Sequence, residues 1–187
     1  MHEAVAGWDT FYVIIGSSAA ALTGLMFVVV TLMAETRIGV GDTANGLDAF
    51  GSPTVVHFCV VLLISAVLTS PMHTALSLSL CLAVVGLIGL GYTVTVLVRM
   101  RRVKAYTPVG EDWAFHVCFP VLVYFTFMVS AAFVLRGSAT ALYYVAAAAL
   151  LLLYTGIHNA WDTATWMAIH GKDKPKPAEQ SDVSGKA

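Results

Sequence analysis

Apolar residues gather into five long runs along the chain, and the intervals between the runs carry nearly all of the Lys, Arg, Asp and Glu. The runs cover about Trp8 to Ala34, Thr54 to Ser70, Thr74 to Val98, Asp112 to Leu135 and Ala139 to Ile169. None alternates with period two, and each persists for the length of a helix rather than a strand. About 20 residues rising 1.5 Å each cross a hydrocarbon layer of about 30 Å. The pattern predicts an all-α, polytopic membrane protein: a bundle of five transmembrane helices forming one domain over residues 1–170. The polar, Pro-rich "GKDKPKPAEQSDVSGKA" at 171–187 is expected to be a disordered cytoplasmic tail.

The breaks between runs have different characters. Only "SPMH" separates the second run from the third, with Pro71 ending the second helix, so these two are expected to form a tight antiparallel hairpin. The fourth and fifth are joined by "RGS". The segment "TRIGVGDTANGLDAFGSP" is Gly-rich and mixed in charge, and reads as a loop. Five crossings put Arg37, Arg99, Arg101, Arg102, Lys104, Lys172, Lys174, Lys176 and Lys186 on one side and leave Arg136 on the other. Basic residues accumulate on the cytoplasmic side, so the distribution predicts an N-out, C-in topology. Four or six helices would divide the basic clusters between the faces.

Composition agrees with the runs. Hydrophobic residues make up 58% of the 187-residue chain and charged residues 11%, against about a quarter charged in soluble domains; mean hydropathy is +0.81. The net charge of -1 names no partner, and the absence of a basic stripe with interleaved aromatics argues against nucleic-acid binding. "MHEAVAGWD" lacks Lys and Arg, and the first run is too long for a cleaved signal sequence. Cys59, Cys81 and Cys118 each lie inside an apolar run without a C-x-x-C spacing, as reduced, buried thiols do.

The topology gives each polar residue a depth. His57 and His116 lie four residues into their helices from the cytoplasmic side, after Pro53 and Asp112. The fifth helix runs the other way and reaches His158 after about 20 residues, or roughly 30 Å. Asp162 follows one turn later, and Glu35 ends the first helix at the same level. Glu35, His57, His116, His158 and Asp162 thus fall in one slab near the inner leaflet boundary, from four helices. His158 and Asp162, at i and i+4 in "GIHNAWDTATW", share a helix face with Thr155 and Thr165 alongside. Asp162 is placed to accept the second ring N–H of His158, or both residues bind one ion. Pro120 cannot donate to the His116 carbonyl four residues back, which predicts a kink and an available acceptor. Three His with one or two carboxylates suit zinc or non-haem iron; two of the His would serve as axial ligands if haem binds. A two-haem wire is disfavoured because the outer half offers only His73 and His2. The competing reading is structural: Trp113, Trp161 and Trp166 mark a membrane interface where His and Asp reach headgroups or water.

The first helix carries a separate pattern. Gly16, Ala20 and Gly24 are spaced by four, a small-residue face suited to close packing within the bundle or between protomers, and they predict a homo-oligomer. Asp9, Ser17, Thr31 and Glu35 form a weakly polar stripe, the alternative basis for an ion or proton path. Gly86 with Gly89 or Gly91 reads as a packing notch; "GLIGLG" has no strand before it, as a phosphate loop would need. "RMRRVKAYT" is a juxtamembrane basic cluster that attracts anionic membrane lipids.

The opening helix, "FYVIIGSSAAALTGLMFVVVTL", resembles that of a group of uncharacterised small bacterial integral membrane proteins with an F-x-V-x-x-G-x-x-A-A-A-L-T-G-L-x-F-V type first helix. A proline-marked hairpin resembling "SPTVVHF…LTSP" follows. The resemblance is strongest over about the first 30 residues. It implies the helical fold and a bacterial inner membrane, and contributes no catalytic residues. The sequence therefore points first to a membrane protein binding a transition metal or haem through His57, His116 and His158, with Asp162 and Glu35 as ligands, supporting groups or a general base. The alternatives are a homo-oligomeric ion or proton channel or transporter subunit, and a non-catalytic accessory subunit of a larger membrane complex.

Overall fold

A computed structural model describes residues 5, 7–36, 42–71, 74–102 and 110–170, with side chains described except at 32–36, 42–52, 102 and 166–170. The tail from Gly171, His2, His73 and most of the basic cluster after Arg102 lie outside the described residues. Five helices account for almost all of the rest: α1 Asp9–Thr36, α2 Asp42–Leu68, α3 Ala75–Arg102, α4 Gly110–Leu135 and α5 Ala141–His170. Four of them, all but α2, are long and apolar enough to cross a membrane, and the apolar part of α2, Pro53–Leu68, is shorter.

The main departure from the expected elements is the start of α2. The Gly-rich segment read as a loop is helical from Asp42, and Pro53 lies inside the helix. A Gly costs only about 1 kcal/mol relative to Ala in a helix, a preference that continuation into the apolar Pro53–Leu68 segment overrides. In α4, Pro120 acts as its chemistry requires. The backbone opens into a π turn over Ala114–Cys118, and the Phe119 N–H bonds to the Ala114 carbonyl five residues back. The wider turn accommodates the proline ring, which has no N–H for His116 or Phe115 to accept.

The short connections are capped. Thr74 and Ser77 exchange bonds at the start of α3: the Ser77 N–H donates to Thr74 Oγ1 at 3.0 Å, and the Thr74 N–H to Ser77 Oγ at 3.1 Å. This reciprocal arrangement satisfies two of the donors a helix start leaves over. After α4, Gly137 adopts φ 81°; its N–H donates to Val134 O and that of Ser138 to Phe133 O. That pair of bonds closes the helix and needs the left-handed backbone glycine allows.

Packing orders the helices as α1, α2, α5, α4, α3. The most extensive contacts are α3 with α4, α1 with α2, and α5 with both α2 and α4. The hairpin expected of α2 and α3 is present as a short connection, but α3 leans chiefly on α4. Register is set by specific contacts. Trp8 stacks edge-on against Tyr143 at 4.8 Å, bringing the starts of α1 and α5 together. Ser79 Oγ donates to Ala131 O at 2.8 Å between α3 and α4. Gly89 receives the ring of Tyr124, Gly86 packs against Met128 and the Tyr124 carbonyl, Gly16 receives Ser65, and Gly156 receives Phe58. Of the apolar windows, 56% of that in α5 is buried in the bundle against 22% of that in α1, so α5 is central and α1 peripheral.

The outward faces are apolar. Ile14, Leu25 and Phe27 on α1, Leu87 and Ile88 on α3 and Phe125 on α4 are each more than half exposed. A surface of this kind is unfavourable against water by about 25 cal/mol per Å² and matches a hydrocarbon surrounding. Hydroxyls on these faces turn back to their own helix: Ser18 to Ile14 O, Thr31 to Phe27 O and Thr126 to Leu122 O, at 2.7–2.9 Å. Such back-bonding satisfies the donor where no water is at hand.

The glycine contacts make a prediction. A Cβ on Gly86 would approach the Tyr124 carbonyl oxygen to 2.8 Å, whereas one on Gly91 meets nothing within 4 Å. Gly86→Val should lower stability by about 1–3 kcal/mol through overpacking, while Gly91→Ala should raise it by up to about 1 kcal/mol through helix propensity. Reversible denaturation in mixed micelles measures both; equal effects would refute the α3–α4 register.

Candidate functional site

His57, His116 and His158 reach the same end of the bundle from α2, α4 and α5. His57 belongs to the inward face of α2 with Thr54, Phe58, Val61 and Ile64, and is 2% exposed. Its Nδ1 lies 3.2 Å from Tyr124 Oη, while Nε2, also buried, has no hydrogen-bond partner among the described residues. His116 sits in the π turn, 5% exposed, with Nδ1 donating to the Asp112 carbonyl at 3.2 Å. That bond places a proton on Nδ1 and, in the neutral ring, leaves Nε2 as the acceptor. His116 lies within electrostatic reach of His57, His158, Asp112 and Asp162.

His158 is the outermost member, with a carboxylate at each edge of its ring. Nε2 is 3.1 Å from Glu111 Oε1, in hydrogen-bond geometry. Nδ1 is 3.2 Å from Asp162 Oδ2, within ion-pair distance but off the line of a hydrogen bond. The distance and the angle disagree about this second contact. The stacking on Phe115 and the bond to Glu111 fix the ring, so the Asp162 contact is electrostatic and not a hydrogen bond. The ring lies flat on Phe115, centroids 3.5 Å apart and planes 6° from parallel. Phe115 in turn packs against Phe119 and Tyr154. The carboxylates of Glu111 and Asp162 are exposed, at 68% and 53%, so the cluster grades from an open acidic rim to the buried His57–Tyr124 pair.

Of the expected ligands, the bundle brings His116 near both His57 and His158, and sets Asp162 against His158. Glu35 lies in the last turn of α1, and its side chain is outside the described residues. Among the described residues, no three His, Cys, Asp or Glu side chains gather closely enough to hold one metal ion. Each imidazole is turned to its own partner: His57 to Tyr124, His116 to a backbone carbonyl, His158 to two carboxylates held apart by its ring.

The first-helix pattern divides. Gly16 is buried against Ser65, whereas Ala20 and Gly24 face outward. Asp9, Ser17 and Thr31 are exposed on the single chain, and the Thr31 hydroxyl is bonded within its helix. Glu111, Phe115, Tyr124 and Asn159 are site residues that the sequence reading passed over. Tyr124 had a legible signal, since it follows His116 by eight residues, about two turns on one face. Glu111 had a weaker one, as the neighbour of Asp112 in the first turn of α4. Its pairing with His158, 47 residues away, is purely tertiary.

Comparison with protein-family models, with curated proteins and with solved structures gives no match.

The His57–Tyr124 pair is testable by itself. Tyr124→Phe leaves a buried ring nitrogen unpartnered and should cost about 1–3 kcal/mol, whereas Tyr144→Phe, at an exposed position, should stay within about 0.5 kcal/mol. Denaturation midpoints in micelles compare them, and indistinguishable midpoints would refute the buried pair.

Proposed function

We propose that this chain is a five-crossing protein of a bacterial inner membrane, N-out and C-in, and that its His–carboxylate cluster is the proton-loading site of a channel or transporter subunit at the cytoplasmic end. The observation that carries the reading is His158 set between Glu111 and Asp162. Nε2 is in hydrogen-bond geometry with Glu111 and Nδ1 lies within ion-pair distance of Asp162, so both ring nitrogens are turned to proton acceptors. A metal ligand needs the opposite, a ring nitrogen with its lone pair available. The exposed carboxylates raise the local proton concentration at the rim, and His158 accepts a proton from that side. His116 and then His57 with Tyr124 continue the series of exchangeable groups inward. Intramembrane ionisable residues facing a bundle interior are the usual elements of such paths. The topology rests on the Lys and Arg distribution, and the bacterial location on the resemblance of the first helix.

Proton movement is measured in proteoliposomes carrying a pH-sensitive dye under a potassium-valinomycin potential. The wild-type protein should acidify or alkalinise the lumen according to the sign of the potential. His158→Ala should slow this about a hundredfold, the scale on which a positioned proton-transfer group acts. Glu111→Gln should slow it less, since Asp162 remains. Flux equal to empty liposomes, or unaltered in His158→Ala, would overturn the reading. In a protein whose Cys59, Cys81 and Cys118 are replaced by Ala, Ser138→Cys should react with an impermeant thiol reagent applied outside intact spheroplasts. Ser184→Cys should react only after permeabilisation; the reverse pattern would overturn the topology.

A second reading, a transition-metal site of zinc or iron, has one observation in its favour: the buried Nε2 of His57 without a protein partner among the described residues, within electrostatic reach of His116. Elemental analysis of chelator-free protein decides it. Stoichiometric metal lost on His57→Ala supports the metal site, and its absence after reloading removes it.

A further inference from the structure

The rim of the site has carboxylates within ion-pair distance of both His158 ring nitrogens, whereas its inner wall has bonding capacity with no such neighbour among the described residues. Asn159 is 1% exposed, and both its amide oxygen and its amide nitrogen are buried without a hydrogen-bond partner among the described residues. His57, 2% exposed, is in the same condition at Nε2. Helix register brings these groups to one level. Phe58 of α2 occupies the space beside Gly156 of α5, where a Cβ would come within 2.5 Å of its ring. His57 is the residue before Phe58. Asn159 lies one turn beyond Gly156 towards the rim, on the inward face that α5 presents through Leu152, Thr155 and Gly156. Thr155 does not supply the missing bonds, because its hydroxyl donates to Leu151 O at 2.8 Å. His57 also reaches α4 through Tyr124, so the leftover groups lie at the seam of α2, α4 and α5.

An amide offers two donors and an acceptor with two lone pairs, and the second imidazole nitrogen offers a donor or an acceptor. Left unmade inside an apolar bundle, these bonds are among the most costly a membrane protein can carry. Their complement is a small neutral molecule able to donate and accept at once. We infer that Asn159 and His57 Nε2 together bind internal water, one or two molecules, forming a hydrated pocket inward of His158, with Asn159 as the residue that positions it. The inference builds on the proton-loading reading: the pocket would be the medium by which protons pass beyond His158. Buried waters of this kind bridge two to four polar groups, and the three atoms named here supply that number. Asn159 does not itself ionise; its amide orients the water and leaves transfer to the imidazoles.

The experiment is water-edited solid-state NMR on the full-length, 15N-labelled protein in lipid bilayers. Magnetisation transferred from water should reach the Asn159 side-chain amide and the His57 ring at the short mixing times typical of exposed groups, and Ser79 and Ser130 on the far half of the bundle only later. Asn159→Leu should reduce transfer to His57 severalfold, and Asn159→Ser, whose hydroxyl again offers a donor and an acceptor, should restore most of it; unchanged backbone shifts verify folding in both. A dry Asn159 and His57 in the wild type would overturn the pocket. So would undiminished transfer to His57 in Asn159→Leu, because the two residues would then not share the water. The readout needs no transport: water contact without flux keeps the pocket and removes the proton-loading function, while flux with a dry pocket does the reverse.

Discussion

The contact on which the rest of this bundle depends is the approach of α5 to α2 at Gly156, where the ring of Phe58 fills the position a side chain would take. Any larger residue at 156 would push the helices apart. At this separation the two helices are locked in register, and the residues beside the contact are sealed from the surroundings. His57 and Asn159 are buried for that reason, although neither is apolar. His158, two residues on from Gly156, is turned by the helical rotation away from α2 and onto Phe115 of α4. One glycine thus separates an inward polar wall from an outward, ion-paired rim.

A second constraint comes from Pro120. A proline in a lipid-surrounded helix removes a bond that no water replaces, and the backbone answers with a π turn over Ala114–Cys118. The turn has a consequence for chemistry, since it advances the residues before it around the helix. Phe115 faces His158, and His116 faces the interior, on a segment whose start also carries Glu111 and Asp112. Extra turns of this type recur at functional sites, and here the π turn assembles the α4 side of the cluster.

Grouped this way, the described polar residues form a gradient. Exposed carboxylates lie outermost, an imidazole between them, and a second imidazole in the π turn. Innermost is a third, paired with a tyrosine. Depth alone put five candidates in one slab; a slab is two-dimensional and leaves open how each helix is rotated.

The helical class, the presence of five apolar helices and the gathering of histidines at one end were legible in the sequence, whereas only four of the five helices are long and apolar enough to cross a membrane. Each follows from run length and position, and a helix translates residue number directly into height. The effect of Pro120 was legible for the same local reason. The start of α2 was not, because glycine content is a weak preference that neighbouring helix readily overrides. Only tertiary structure decided which helices are neighbours. It set α3 against α4 rather than α2, used Gly16 inside the bundle while leaving Ala20 and Gly24 outside, and joined His158 to Glu111 and His57 to Tyr124. Apolar faces of similar composition give no pattern from which rotation can be read; rotation is settled by which small residue admits which large one, as Gly156 admits Phe58 and Gly89 admits Tyr124.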